Sequence, residues 1–290
     1  MPDALLRALD LDIRRRIDGL IAGDYRATRW GEGTELAQVR PYEPGDDVRQ
    51  IEWNVTARTG EPHVRVQVAE RAMTAWLLLD VSPSMTFGTT DRRKADVAEG
   101  VALALGHIAT RRGNRLGIMT FGSDSPQVIP PAHGRAGRLG LLTALRREPP
   151  AEGTGETSLG SILMRAVAIC RERAAVFVVS DWRGPVDWRR PLVQLSHRHD
   201  VVAVEVRDPR EQELPDVGYL WMVDPETGRQ LRVDTRQRRV RERFATAASH
   251  ERRELTRVLG GTRTDHLVLS TSGDWLRRLA GFLSRRSMRR

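Results

Sequence analysis

Cysteine and long apolar runs are both scarce in this sequence, and each shortage excludes a class of protein. Cys170 is the single cysteine, so an intramolecular disulfide and a cysteine-based metal cluster are both excluded. No apolar run approaches the roughly 18 residues that a membrane-spanning helix needs. The first ten residues lack the basic and apolar regions of a secretion signal. We therefore expect a cytoplasmic protein with no membrane span.

Lysine is nearly absent as well. Lys94 is the only lysine among 47 basic residues, so the other 46 are arginines, and the formal net charge is +9. Such a charge is compatible with nucleic-acid binding. However, the arginines are interleaved with acidic residues except at residues 236–243 and in the last six positions. The interleaving favours a solvated surface over a nucleic-acid-binding one, and nucleic-acid binding is kept only as an alternative function.

From residue 75 onward, predicted strands and helices alternate. Strands separated by helices predict an α/β fold with a doubly wound, mainly parallel sheet that is covered on both faces. We assign residues 73–290 to this domain, with a β-hairpin excursion at about residues 212–235 around a DPETG turn. The predicted strands cover residues 76–80, 115–121, 127–130, 175–180, 201–206 and 266–270. The predicted helices cover residues 92–111, 135–146, 159–173, 188–197, 238–259 and 273–284.

Residues 1–72 are predicted to form an N-terminal helix, over residues 5–21, and a small β-rich region. Two extended stretches, at 35–40 and 63–68, flank a PGDD segment in which Asp46 or Asp47 can cap a short helix over residues 48–57. The arginines around these aspartates favour an internal ion-pair network. Trp53 is either a core residue or an anchor for a partner. We also expect the hairpin to pack with these strands as one small second sheet.

Three loops place oxygen ligands at the predicted carboxyl ends of strands, where open parallel sheets form their ligand sites. Asp80, Ser82 and Ser84 follow the first strand, Thr157 precedes a helix, and Asp181 follows a later strand. Hard divalent ions prefer such an all-oxygen set. The sequence therefore predicts a Mg²⁺ or Mn²⁺ site that is formed by these five residues.

Each of these residues also has a simpler structural interpretation. Asp80 and the two serines can cap the segment that follows them, and Asp181 can be a turn residue. Thr157 can be the N-cap of the next helix, with Ser158 as a rival cap, and Thr154 is a rival metal ligand.

The D-x-S-x-S pattern, followed by Thr157 and Asp181 at later strand ends, resembles the metal-ion-dependent adhesion site of von Willebrand factor A domains. The segment RPYEPGDDVRQIEWNVTARTGEPHVRVQVAER, together with ELPDVG and DPETG, is similar to the family called domain of unknown function 58. This chain has Glu52 before Trp53, where relatives often have aspartate. The resemblance covers nearly the whole chain. It implies a von Willebrand factor A-like domain and an association with MoxR-type AAA+ ATPases.

Two carboxylates and three hydroxyls leave one coordination position that a partner's carboxylate can take. We therefore predict a non-enzymatic, metal-dependent interaction module, an adaptor or co-chaperone of a MoxR-type ATPase. A metal-dependent hydrolase is an alternative, but Ser82 stands where a second aspartate would favour hydrolysis. The sequence contains neither a phosphate-binding GxxxxGK[ST] loop nor a nucleophile elbow.

Overall fold

The computed structural model describes residues 36–67, 73–111, 114–123, 126–146, 158–224 and 227–288. Those up to residue 67 belong to one compact unit, and those from residue 73 onward belong to another. The helix predicted over residues 5–21 lies outside the described residues, as does Thr157.

In the first unit, two antiparallel strands flank two short helices. Strand β1 is Leu36–Pro41 and β2 is His63–Gln67; between them lie a 3-10 helix, Val48–Gln50, and helix α1, Trp53–Thr59. The sequence predicts one helix here. It is divided because Ile51 forms a β-bridge with Val64, and the Glu52 N–H donates to the carbonyl of His63 at 2.7 Å. Pairing with β2 thus outweighs helical continuity.

An ion pair fixes the PGDD segment to β1. The two terminal nitrogens of Arg40 donate to the carboxylate of Asp46 at 2.7 and 2.8 Å, which holds the pKa of Asp46 below its usual range. Asp47 caps the 3-10 helix by accepting from the Arg49 N–H. The side chain of Trp53 is 70% exposed, so its interpretation as a core residue is wrong.

The second unit is built on a six-stranded sheet. Its strands are β3 (Thr74–Asp80), β4 (Arg115–Phe121), β5 (Val128–His133), β6 (Ala174–Ser180), β7 (Asp200–Arg207) and β10 (Asp265–Ser270). They lie in the order β10-β7-β6-β3-β4-β5. Every neighbouring pair is parallel except β4 and β5, which confirms the predicted mainly parallel sheet.

The predicted hairpin is present as β8, Tyr219–Val223, and β9, Gln230–Asp234. It forms a two-stranded sheet of its own, and β1 with β2 forms another. The expectation of one shared small sheet is therefore wrong. The strand patterns specified each pair, but they held no information on how one pair would associate with another.

Helices cover both faces of the large sheet. They are α2 (Lys94–Arg111), α3 (Gly134–Leu145), α4 (Leu159–Ile169), α5 (Arg189–Arg198), α6 (Arg238–Gly260) and α7 (Trp275–Met288). Leu77 and Leu79 of β3 contribute to one core, with α2, α3 and α7, and Trp76 and Leu78 contribute to the other, with α4, α5 and α6. Burial on both faces explains the continuous apolar run of β3. In the part of the chain that the structure describes, no helix is long and apolar enough to span a bilayer.

The order of the strands locates a crevice. The chain runs from β3 outward to β4 and β5 and then returns to β6 on the opposite side of β3, so the winding direction reverses between β3 and β6. Ligands of such sheets bind beyond the carboxyl ends of the strands at this reversal. Asp80 is the last residue of β3, and Asp181 follows the last residue of β6. The two predicted carboxylates therefore lie at the reversal point.

Candidate metal centre

Asp80 is a buried carboxylate at the end of β3. One of its oxygens accepts from the Ser82 N–H at 2.9 Å, and the other accepts from the Ser180 hydroxyl at 2.5 Å. Burial, and repulsion by Asp181, raise the pKa of Asp80 to about 7 although the hydrogen bonds from Ser180 and Ser82 favour its anion. A cation at this position would stabilise the ionised form.

The hydroxyls of Ser82 and Ser84 face each other. Their oxygens lie 3.0 Å apart, and both residues are buried. Ser82 directly precedes the 3-10 helix Pro83–Thr86, but its side chain makes no capping hydrogen bond there. The capping interpretation of Ser82 is therefore wrong, and its hydroxyl is directed to Ser84 instead.

Asp181 is already paired with a buried lysine. The Lys94 ammonium donates to Asp181 at 2.6 Å and to Glu211 at 2.7 Å, and the Lys94 side chain is 1% exposed. Although burial opposes both charges, mutual attraction raises the pKa of Lys94 and lowers the pKa of Asp181. Asp181 also accepts from the Arg183 N–H at 3.1 Å, as a turn residue does.

Lys94 and Glu211 are absent from the five residues that the sequence predicts for the site. Lys94 begins α2, and Glu211 ends a 3-10 helix, Pro209–Glu211, that follows β7. One signal was available: Lys94 is the only lysine in a chain that uses arginine at the other 46 basic positions. Nothing comparable distinguished Glu211 from the other acidic residues.

A further buried carboxylate, Asp208, connects the loop after β3 to the ends of β7 and β10. It accepts from the Thr89 hydroxyl at 2.6 Å, the Thr89 N–H at 2.9 Å and the Thr271 hydroxyl at 2.7 Å. Burial disfavours its charge, but these hydrogen bonds hold the pKa of Asp208 below its usual range. The network holds Thr89 in the loop that leads to α2.

The fifth predicted ligand, Thr157, lies outside the described residues, as does its rival Thr154. Ser158 is the N-cap of α4, because its hydroxyl accepts from the Ser161 N–H at 3.1 Å. Its hydroxyl also donates to Asp187 at 2.7 Å. Ser158, and not Thr157, therefore occupies the N-cap position. The role of Thr157 as a metal ligand stays a prediction.

The donors that do converge suit a hard divalent ion. Asp80, Ser82 and Ser84 offer only oxygen atoms, the ligands that Mg²⁺ and Mn²⁺ prefer. Within the described ranges, no group of three or more histidine, cysteine or acidic side chains is arranged to hold a metal. A metal here would therefore depend on the serine hydroxyls, and it would lie close to the ion pair of Lys94 and Asp181.

Arginines from both dense stretches pair with acidic residues of the chain. Arg236 contacts Asp234 at 3.0 Å, and Arg241 contacts Asp216 at 3.0 Å. In the last helix, Arg286 contacts Asp265 at 2.8 Å, while Trp275, Leu276 and Leu279 of the same helix are buried in the core. These contacts favour a structural role for these arginines.

One face of the hairpin exposes large apolar side chains. Tyr219, Trp221 and Val223 alternate along β8 and are 56%, 63% and 44% exposed. The guanidinium of Arg232, which pairs directly opposite Trp221, lies 4.1 Å from the centre of the Tyr219 ring. The face therefore combines exposed aromatic rings with positive charge.

Comparisons with known proteins identify relatives of the whole chain. The model of a family described as "Protein of unknown function DUF58" matches residues 38–254. An uncharacterised protein of Mycobacterium tuberculosis is 37% identical over 287 residues, which is 98% of this chain and 89% of that protein.

Two solved structures are similar at low identity. An aerotolerance-related membrane protein of Bacteroides fragilis is 12% identical, with a TM-score of 0.48 over 76% of this chain and 100% of the other. The conserved hypothetical protein BatB of Bacteroides thetaiotaomicron is also 12% identical, with a TM-score of 0.45 over 75% of this chain and 100% of the other. Likenesses at this level carry no inference about function.

Proposed function

We propose that this chain, which belongs to the DUF58 family, is a non-enzymatic interaction module whose Mg²⁺ or Mn²⁺ site captures an acidic side chain of a partner protein. One observation carries the proposal. The Ser82 and Ser84 hydroxyls meet 3.0 Å apart beside the buried carboxylate of Asp80, at the sheet edge where the winding reverses. Convergent, buried oxygens of this kind are the ligands of a hard divalent ion.

The ligand set favours binding over hydrolysis. Asp80, Ser82 and Ser84 would hold the ion, with Asp181 close by and Thr157 contributed from outside the described residues. Hydroxyls are weak, neutral ligands, so the bound ion would retain unmet positive charge that a partner's carboxylate can satisfy. A hydrolytic centre would favour more carboxylates or a second metal.

The partner class comes from the family resemblance, which points to a MoxR-type AAA+ ATPase with this chain as its adaptor or co-chaperone. The composition of the hairpin face supports a protein partner of some kind. Tyrosine, tryptophan and arginine are the residues most enriched where interfaces concentrate their binding energy. Tyr219, Trp221 and Arg232 present these three types on one surface.

Metal binding and partner capture can be tested on the same variants. We expect the purified protein to bind Mn²⁺ in a calorimetric titration, and Asp80→Ala and Ser82→Ala to bind at least about tenfold more weakly, since each loses a ligand. Glu213→Ala, which removes an exposed acidic residue, is the control and should bind normally.

For partner capture, the tagged chain is recovered from its native cells with Mg²⁺ or with EDTA, and the bound proteins are identified. We expect an AAA+ ATPase to be recovered with Mg²⁺ and to be lost with EDTA or with Asp80→Ala. Equal recovery under all three conditions would show that no metal bridge operates. Mg²⁺-dependent phosphatase activity that disappears in Asp80→Ala would contradict the non-enzymatic proposal.

A further inference from the structure

Lys94 is a buried cation inside the candidate metal centre. Its ammonium donates to Asp181 at 2.6 Å and to Glu211 at 2.7 Å, and its side chain is 1% exposed. Asp181 directly follows Ser180, whose hydroxyl donates to the Asp80 carboxylate at 2.5 Å. The lysine therefore belongs to the same electrostatic cluster as the candidate metal ligands.

The charges of this cluster do not balance. Asp80, Asp181 and Glu211 contribute three negative charges when ionised, and Lys94 contributes one positive charge, which leaves a formal charge of −2 in a buried region. Arg183 lies 3.8 Å from Glu211, but its side chain is 41% exposed and is screened by water. A divalent cation would neutralise the formal charge that remains.

The choice of lysine at position 94 is as informative as its location in the cluster. The chain uses arginine at its other 46 basic positions. A guanidinium is planar and broad, whereas an ammonium is compact and can direct separate hydrogen bonds to two carboxylates from a single atom. The Lys94 nitrogen makes both contacts at 2.7 Å or less, a geometry that suits the compact group.

We propose that Lys94 is a resident cation that sets the metal affinity of this centre, because its single positive charge offsets one of the three carboxylate charges that would attract a divalent ion. The inference rests on the proposed metal site. Two positive centres in one buried cluster repel each other more strongly than they would in water. Lys94 therefore lowers the affinity of the centre for a divalent ion, and the ion binds reversibly.

A series of variants changes the charge of the cluster stepwise while the candidate ligands stay in place. Lys94→Met brings the formal charge to −3, Glu211→Gln brings it to −1, and Lys94→Met/Glu211→Gln restores −2. Lys94→Arg keeps the charge but changes the shape, so it separates electrostatic effects from packing effects. Mn²⁺ affinity of the full chain is measured by calorimetric titration, and circular dichroism checks folding.

We expect Lys94→Met to bind Mn²⁺ at least about tenfold more tightly than wild type and Glu211→Gln to bind about tenfold more weakly, each through one unit of charge. The double variant and Lys94→Arg should bind within about threefold of wild type. Lys94→Met leaves two buried carboxylates without their cation and can fail to fold for that reason. In that case the Mn²⁺ affinity of Glu211→Gln relative to wild type tests the role of charge.

The outcomes separate this inference from the proposed function. If wild type binds Mn²⁺ and the affinities do not follow the charge of the cluster, the role of Lys94 is refuted and the metal site stands. If wild type does not bind but Lys94→Met does, Lys94 acts as a cation that replaces the metal, and the proposed metal-dependent function is refuted instead. If no variant binds, both are refuted.

Discussion

Gly122, just beyond the end of β4, packs directly against Ser82 in the loop after β3. A Cβ placed on Gly122 would lie 2.6 Å from the Cβ of Ser82 and 2.9 Å from a carboxylate oxygen of Asp80. The backbone of Gly122 also has a φ of +82°, a conformation that residues with side chains rarely adopt. Both facts require glycine at position 122. The atoms that a side chain there would contact belong to two candidate metal ligands, Asp80 and Ser82.

Gly122→Ala should therefore damage the centre as well as the fold. We expect it to lower the free energy of unfolding by roughly 2–4 kcal/mol, through backbone strain and overpacking together. Mn²⁺ affinity should fall at least about tenfold, because Ser82 must move. Gly218→Ala is the matched control, since Gly218 has a φ of +87° but no atom within 4 Å of its added Cβ. Equal metal affinity in the two variants would contradict the prediction.

Thr157 is predicted to be the fifth metal ligand and Thr154 its rival. Replacing the true ligand by alanine removes one oxygen, so we expect Thr157→Ala to bind Mn²⁺ roughly tenfold more weakly and Thr154→Ala to bind like wild type. Calorimetric titration of both variants makes the comparison. The reverse order of affinities would reassign the ligand to Thr154.

The stability that Asp208 provides should depend on pH. The pKa of its carboxyl is lowered in the folded state, so its contribution is present above the unfolded pKa of about 4 and is lost as pH falls through the lower folded value. At pH 7 we expect Asp208→Asn to be less stable by roughly 2–4 kcal/mol, because the amide nitrogen cannot accept hydrogen bonds from Thr89 or Thr271.

This difference should narrow when urea unfolding is repeated at pH 3, because the Asp208 carboxyl then binds a proton in the unfolded chain, which favours unfolding of the wild type. Glu213→Gln, at an exposed position on the same loop, should match wild type at both pH values. A difference between Asp208→Asn and wild type that stays constant with pH would mean that the loss is one of packing rather than charge.

Cys170 should be almost unreactive in the folded protein. It is 2% exposed, and burial raises its pKa to about 12. At pH 8 we expect a thiol reagent to modify it at least about a hundredfold more slowly than in urea, because very little thiolate forms. Since it is the only thiol, the reaction reports on one site. A rate equal to that in urea would show that the α4 end opens readily.

The exposed hairpin face is expected to contribute to partner capture. Trp221 is 63% exposed, so Trp221→Ala should leave the unfolding transition unchanged but lower the recovery of the Mg²⁺-dependent partner several-fold. Val186→Ala removes a side chain that is 61% exposed elsewhere and serves as the control. Unchanged recovery with Trp221→Ala would exclude this face from the interface.

Much of the fold could be predicted because it depends on local pattern. The predicted strand over residues 115–121 matches β4, Arg115–Phe121, and the predicted hairpin is formed by β8 and β9. The helix predicted over residues 48–57 is present as two separate helices, because Ile51 pairs with Val64, a contact between residues 13 positions apart. Exposure of Trp53 was likewise undetermined, since an aromatic residue suits a core and a surface anchor equally well.

The amino-acid pattern was sufficient to predict that Asp80 and Asp181 lie together, because each follows an apolar strand and parallel strands present their carboxyl ends at one edge of the sheet. The same pattern predicts the oxygen chemistry of Asp80, Ser82 and Ser84. In contrast, local pattern could not show that Lys94 would be shared between Asp181 and Glu211, which lie 87 and 117 positions further along the chain and meet it only in the folded protein. Burial converts those distant residues into one electrostatic unit, because charges that water would screen act strongly on each other in the protein interior.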